Sequence, residues 1–305
     1  MAFTAQDVKN LREKTGCGMM ECKNALVCSG GDFEAAIDFL RERGLAAASK
    51  KSGRVASEGM AFAKVSLLGN VGAIIEVNSE TDFVACNKDF QNFVYTCADS
   101  VIESAPENIE ALLKVKVDSK DTIGSILESK ILTMGENIKI RRFERLEGLV
   151  STYVHAGGKI AVAVQFSGDV SLSENIEFKN MARDVAMQIA AANPRYVSSG
   201  SVDSEILEHE KKILKEQAIN SGKTGPIAEK IVSGKMGKFY KDVCLLEQPF
   251  VKDTSITVFD YIQGVAKRLG ENLGVLKFFR FERGEGLEKR EENFAEEVAK
   301  VRGKN

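Results

Sequence analysis

Residues able to do chemistry are sparse in this chain. The only histidines, His155 and His209, lie far apart, which excludes a histidine-rich metal site. The six cysteines, Cys17, Cys22, Cys28, Cys86, Cys97 and Cys244, form no C-x-x-C pair and lack zinc-ligand spacing. Free thiols in a reducing cytoplasm are the simpler expectation. There is no phosphate loop and no nucleophile elbow. The expectation is a protein with no catalytic residue, no metal and no cofactor of its own. One stretch asks for another explanation. In "SETDFVA", residues 79–85, the carboxylate Asp82 sits beside the large apolar Phe83. The stretch joins a strand pattern, "NVGAIIEV", to a helix pattern beginning "NKDF", where a short polar connection is expected. Either Phe83 folds back onto its own core while Asp82 caps a turn, or the pair acts on another molecule.

The rest of the chain must position that stretch. At 305 residues it has room for about two domains of roughly 150 residues. Hydrophobic residues are 44% and charged residues 28%, the balance of a folded soluble protein. The net charge of −2 argues against phosphate-backbone binding as the main activity, so no direct nucleic-acid partner is expected. The N-terminal pattern "MAFTAQDVKNLREKTG" carries charges throughout, unlike a signal peptide. No apolar run reaches the roughly 20 residues of a membrane span.

The front reads as three short helices. Thr4 caps the first, with Val8, Leu11 and Thr15 at helical spacing and Gly16 ending it. "MMECKNALVC" is the second. Asp32 caps the third, which Gly44 is expected to stop. "AAASKKSGRVASEG" then reads as a linker or a fraying helix tail.

Beyond residue 55 a strand–strand–helix unit occurs twice. Its first helix starts at Asn87 and its second at Asn175. Asn87/Asn175, Phe90/Phe178, Asn92/Asn180, Ala98/Ala186 and Pro106/Pro194 all match at a separation of 88. Hairpins with turns at Gly69-Asn70 and Gly157-Gly158 precede the two helices. "RRFER" at 141–145 and "FRFER" at 279–283 close the two halves as half-exposed strands. The fold class expected is α+β, with two related antiparallel sheets under helices. In the second half, Ile206/Ile213 and Leu207/Leu214 recur at seven, "NSGKTGP" breaks the pattern, and Ile227, Ile231 and Met236 follow. That is an inserted antiparallel helical hairpin. The domain division is 1–55 (three-helix module and linker), 56–145, then 146–200 with 241–285, the hairpin at 201–240, and a C-terminal module at 286–305. The connection "SETDFVAC" of the first copy stands opposite "SGDVSLSE" in the second, so the acid–aromatic tip is an addition to the shared plan.

Over essentially its full length the sequence resembles the bacterial elongation factor Ts family. The resemblance rests on "LREKTGCGMMECKNAL", "EVNSETDFVA", "TMGENIKIRR", "QPFVKD" and "RFERGEGLEK". It implies a cytoplasmic guanine-nucleotide exchange factor, not an enzyme, whose partner is the GTPase elongation factor Tu. It also implies that Thr81, Asp82, Phe83 and Val84 enter the GTPase near its magnesium and phosphate site. Docking falls by the same resemblance to Arg12, Gly18, Met19 and Met20. Gln188 takes the place of a histidine that reaches the GTPase in many members. Adjacent Met19 and Met20 cannot both face inward on one helix. Two other classes stay open on the residues alone: a ubiquitin-associated-like adaptor without exchange activity, which GDP release would separate, and a small-molecule enzyme, which would need a convergent acid–base pocket.

Overall fold

The computed structural model describes residues 3–223 and 225–288; the expected C-terminal module therefore lies almost wholly outside the described residues. The chain divides into two units. One comprises Met1–Ala61, Ile75–Phe143 and the segment from Glu282; the other comprises Phe62–Ile74 and Glu144–Phe281.

In the first unit, α1 (Ala5–Thr15) opens on a capping box in which Thr4 and Asp7 exchange hydrogen bonds, and ends at Gly16 with φ 69°. The helices α2 (Met19–Cys28) and α3 (Phe33–Lys51) follow. The three share a small core of Val8, Leu11, Cys17, Cys22, Ala25, Leu26, Ala36 and Leu40. Burial pushes the thiols of Cys17 and Cys22 above their ordinary range, so these cysteines serve as packing, not as nucleophiles. Gly44 does not stop α3, which continues to Lys51. A Cβ at Gly44 would stand 3.3 Å from the Glu128 carbonyl oxygen. The glycine is there because a later helix crosses close above it, a contact that local spacing cannot reveal.

That later helix is the last of four in the segment between the strands β2 and β3. After β1 (Glu58–Val65) and β2 (Val71–Ser79) come α4 (Asp82–Ala85), α5 (Lys88–Ser104), α6 (Ile109–Lys114), α7 (Ile123–Met134) and β3 (Lys139–Glu147). The strands form a sheet in the order β1-β2-β3. Helix α5 turns Phe90, Phe93, Val94, Cys97, Ala98 and Val101 inward, and α7 packs against α3, α5 and α6. The "RRFER" arginines have a structural partner. Glu76, fully buried, accepts from Arg141 Nη1 at 3.0 Å, Arg142 Nε at 2.6 Å and the Gly284 amide at 2.8 Å. Two guanidinium groups and an amide offset the cost of burying that carboxylate. They also fasten the Gly284 turn to β2.

In the second unit, β4 (Leu149–His155) and β5 (Ile160–Ser167) pair antiparallel from Leu149↔Phe166 to His155↔Ile160. They join β8 (Gly274–Glu282) in the order β4-β5-β8. Helix α8 (Ile176–Ala192) covers this sheet with Phe178, Met181, Val185 and Ile189. Phe166 and Phe178 meet edge to face, with centroids 5.4 Å apart. Two neighbouring helices, α9 (Ser204–Asn220) and α10 (Gly225–Val243), bury Leu214, Ala218, Ala228 and Met236. Ile227, at the start of the second helical run, is 62% exposed. The short strands β6 (Pro249–Phe250) and β7 (Asp253–Thr257) pair antiparallel, and α11 (Val258–Leu269) completes the core. The fold is thus a mixture of helices and antiparallel sheet, as the patterns indicate.

Candidate functional site

The stretch between β2 and α5 is a short helix, not an open loop. Four residues cannot sustain a helix alone, so α4 depends on what surrounds it. Thr81 is its N-cap: the Val84 amide donates to Thr81 Oγ1 at 3.4 Å. Ser79 Oγ donates to the Thr81 carbonyl at 2.9 Å. Below, Gln91 Nε2 donates to the Ala85 carbonyl at 3.2 Å. Val84 and Ala85 are buried. Asn87 then caps α5, accepting from the Asp89 amide at 2.8 Å.

The four expected tip residues therefore divide. Val84 points into the molecule and is 8% exposed, whereas Phe83 is 84% exposed. Asp82 is exposed beside it, and Thr81 is half-buried. Phe83 does not fold back onto its own core. A single exposed apolar side chain is ordinary on a protein surface; one displayed by a four-residue helix with this many fastenings is less so.

A carboxylate from elsewhere in the sequence holds the tip. Glu136, just after α7, accepts from the Thr81 amide at 3.0 Å and from Thr81 Oγ1 at 2.6 Å. The neighbouring residues reciprocate: Glu80 Oε1 accepts from the Asn137 amide at 2.7 Å. Arg54 Nη1 approaches the same Glu80 oxygen at 3.4 Å. Asn137 Nδ2 donates to the Arg54 carbonyl at 2.8 Å. Sequence reading missed Glu136, Glu80 and Asn137, although "GEN" lies inside one of the matched stretches. Polar residues after a helix-ending glycine read as an ordinary turn, and no local pattern shows that they reach a tip over 50 residues earlier.

The other candidates are placed as follows. Arg12 and Gly18 are exposed. Met19 is 46% and Met20 62% exposed, so neither methionine enters the three-helix core. Val27, 58% exposed, lies two helical turns from Met20 on the same face and was not anticipated. Gln188 differs from the expectation of a surface contact. It is 1% exposed, and its amide is fully engaged inside the second unit. Its Nε2 donates to Gln248 Oε1 at 3.0 Å and to the Pro249 carbonyl at 3.3 Å, while its Oε1 accepts from the Val251 amide at 2.8 Å. It braces the turn of "QPFVKD". His155 ends β4 and His209 lies on an exposed face of α9. Among the described residues no cluster of His, Cys, Asp and Glu could hold a metal ion. None of the described helices is long and apolar enough to cross a membrane.

The family model for Elongation factor TS matches residues 80–285, a span that begins at this tip. The proteins named Elongation factor Ts in Clostridium kluyveri and Clostridium perfringens are 50% and 48% identical over 308 and 305 residues. Each alignment covers 99% of this chain and 100% of the relative. The Elongation factor Ts of Trichlorobacter lovleyi is 47% identical over 311 residues, covering 99% of both. The chain belongs to the Elongation factor Ts family.

Proposed function

We propose that this protein is a guanine-nucleotide exchange factor for elongation factor Tu, acting during translation elongation in the cytoplasm. It binds the GDP form of the GTPase and promotes GDP release by disturbing the magnesium and phosphate site. Phe83 and Asp82 are the residues that enter; Val84 supports them from within and Thr81 anchors them. The face carrying Arg12, Gly18, Met19 and Met20 docks on the GTPase, with exposed methionine supplying adaptable apolar contact. Gln188 contributes indirectly, through the turn it braces.

No covalent step is needed. Magnesium requires a near-ideal octahedron of oxygens shared with the nucleotide phosphates. An apolar wedge that displaces the elements holding it weakens GDP. By linkage, nucleotide binding weakens the hold of the factor to the same degree, so incoming nucleotide speeds the factor's departure. The reaction needs neither nucleic acid nor membrane as a partner.

The observation that supports this reading most is Phe83, 84% exposed on a fastened turn. The experiment is release of labelled GDP from elongation factor Tu with and without this protein. Acceleration is the expected result; an unchanged rate at saturating protein overturns the proposal.

A further inference from the structure

The proposed function assigns no role to the carboxylate of Glu136, yet it accepts two hydrogen bonds from Thr81, the residue that anchors the tip. The hydroxyl of Thr81 has one proton to give and lone pairs to accept with. Thr81 Oγ1 donates it in a hydrogen bond to Glu136 Oε1 at 2.6 Å. This turns the remaining lone pairs of Thr81 Oγ1 toward the Val84 amide, which donates at 3.4 Å. The second oxygen of the same carboxylate holds the Thr81 backbone amide at 3.0 Å. One side chain thus sets both the backbone direction at the helix start and the orientation of the capping hydroxyl. Charge-assisted bonds of this kind are short and strong relative to neutral ones.

The reverse bond, from the Asn137 amide to Glu80 Oε1 at 2.7 Å, makes the arrangement a reciprocal clasp between residues 80–81 and 136–137. Asn137 extends it, through its 2.8 Å bond to the Arg54 carbonyl, to the chain just beyond α3. The geometric consequence of the clasp is the direction in which α4 leaves β2. With Val84 turned inward, that direction leaves Phe83 pointing out.

We propose that Glu136 is a positioning residue for nucleotide exchange, holding Thr81 so that Phe83 is displayed in the conformation that enters the GTPase before the two proteins meet. This rests on the exchange reading above. Preorganisation of a contact lowers the ordering cost at the step where the contact is made. Removing it should therefore affect the exchange step more than the initial docking, which other residues carry.

The test uses the full-length protein and stimulated GDP release from elongation factor Tu, measured across factor concentrations. Glu136→Gln keeps the shape and loses the charge and one acceptor. The expected result is a maximal release rate lowered about tenfold, which corresponds to about 1.4 kcal/mol. The half-saturating concentration should move by less than about threefold, since the docking contacts remain. Thr81→Val, which removes the hydroxyl, should behave like Glu136→Gln, and Thr81→Ser, which retains it, should restore the wild-type rate. Placed on Phe83→Ala, Glu136→Gln should add no further loss, because it acts through that ring. An equal loss in both backgrounds overturns the positioning role, as does a change confined to the half-saturating concentration. If Phe83→Ala slows release and Glu136→Gln does not, the inference falls and the exchange reading stands. If Phe83→Ala has no effect on release, the wedge and the clasp's role fall together.

Discussion

The two copies of the strand–strand–helix unit agree in their interiors and differ in the connection that leads into the helix. Asn87 and Asn175 both cap the following helix, Phe90 and Phe178 are both buried, and Ala105 and Asn193 both end the helix with left-handed backbone, at φ 46° and 48°. The connections differ. In the second copy the chain passes through a 3-10 turn, Val170–Glu174, capped by Asp169. At the separation of 88 that relates the copies, Val84 stands opposite Leu172, which packs against the second unit's core. Phe83 stands opposite Ser171. Both connections keep an inward apolar residue, so the core dictates that feature. The outward residue answers to no core in either copy. In one it is a serine and in the other a phenylalanine, and no demand of folding accounts for the phenylalanine.

The largest expected effect tests the shared part. Phe90→Ala and Phe178→Ala should each cost about 3–5 kcal/mol of stability, measured by denaturant unfolding. A small cost at one of the two would mean that the copies do not use their helices equivalently. Next in size is the unshared position. Phe83→Ala should leave stability within about 0.5 kcal/mol of the parent. Burying a phenylalanine side chain is worth about 1.5–3 kcal/mol, so stimulated GDP release should slow by roughly ten- to a hundredfold. Ser171→Ala should leave stimulated GDP release unchanged and touch stability only through the bond that its hydroxyl makes to Asp169. A destabilised Phe83→Ala whose folded fraction exchanges nucleotide normally would remove the distinction between the copies.

The sequence carried the shared part openly, because repetition and helix caps are local signals. The interval of 88, the asparagine caps and the closing "RFER" strands lead to the two three-stranded sheets; the short β6–β7 pair was not among them. What it concealed depends on distant contacts. Gly44 reads as a helix stop until Glu128 is found beside it. Helix α7 left no clear trace, since "IGSILESKILTM" has apolar residues on most of its faces and no single periodic stripe. At the tip, the sequence marked Phe83 and Asp82 as unusual but could not say that adjacent Val84 faces the other way. It offered nothing to connect Glu136 with Thr81. Gln188 was placed at a surface by resemblance and lies in the interior by packing.

A smaller effect concerns the two asparagine caps. Asn175 Oδ1 accepts from both the Glu177 and Phe178 amides, at 2.9 and 3.2 Å, whereas Asn87 accepts from the Asp89 amide at 2.8 Å. Replacing either by alanine should cost about 1 kcal/mol, with Asn175→Ala the more costly by the extra bond. Thermal unfolding of the pair decides it. Equal costs would show that α5 gains from its preceding short helix what α8 gains from a second capping bond.

The smallest effect separates the connections by the chemistry of their caps. Thr81 caps α4 with a neutral hydroxyl, while Asp169 caps the 3-10 turn with a carboxylate that accepts from the Ser171 amide at 2.8 Å. The Ser171 hydroxyl and amide hold the Asp169 carboxyl below its ordinary range. A carboxyl whose folded pKa is lowered contributes stability that is fully present above its unfolded value of about 3.9. That contribution is lost as pH falls through the lower folded value. Asp169→Ser replaces the carboxylate by a hydroxyl cap of comparable quality. The variant should melt close to the parent at neutral pH and lose less stability on acidification below about pH 4. Thr81→Ser, by contrast, exchanges one neutral cap for another and should leave the shape of the acid profile unchanged. The local readout is exchange of the Ser171 amide proton, which should become faster with acid, relative to its intrinsic rate, in the parent and not in Asp169→Ser. Identical acid profiles for parent and Asp169→Ser would mean that the carboxylate contributes nothing beyond a hydroxyl. The two connections would then differ in what they display and not in how they are held.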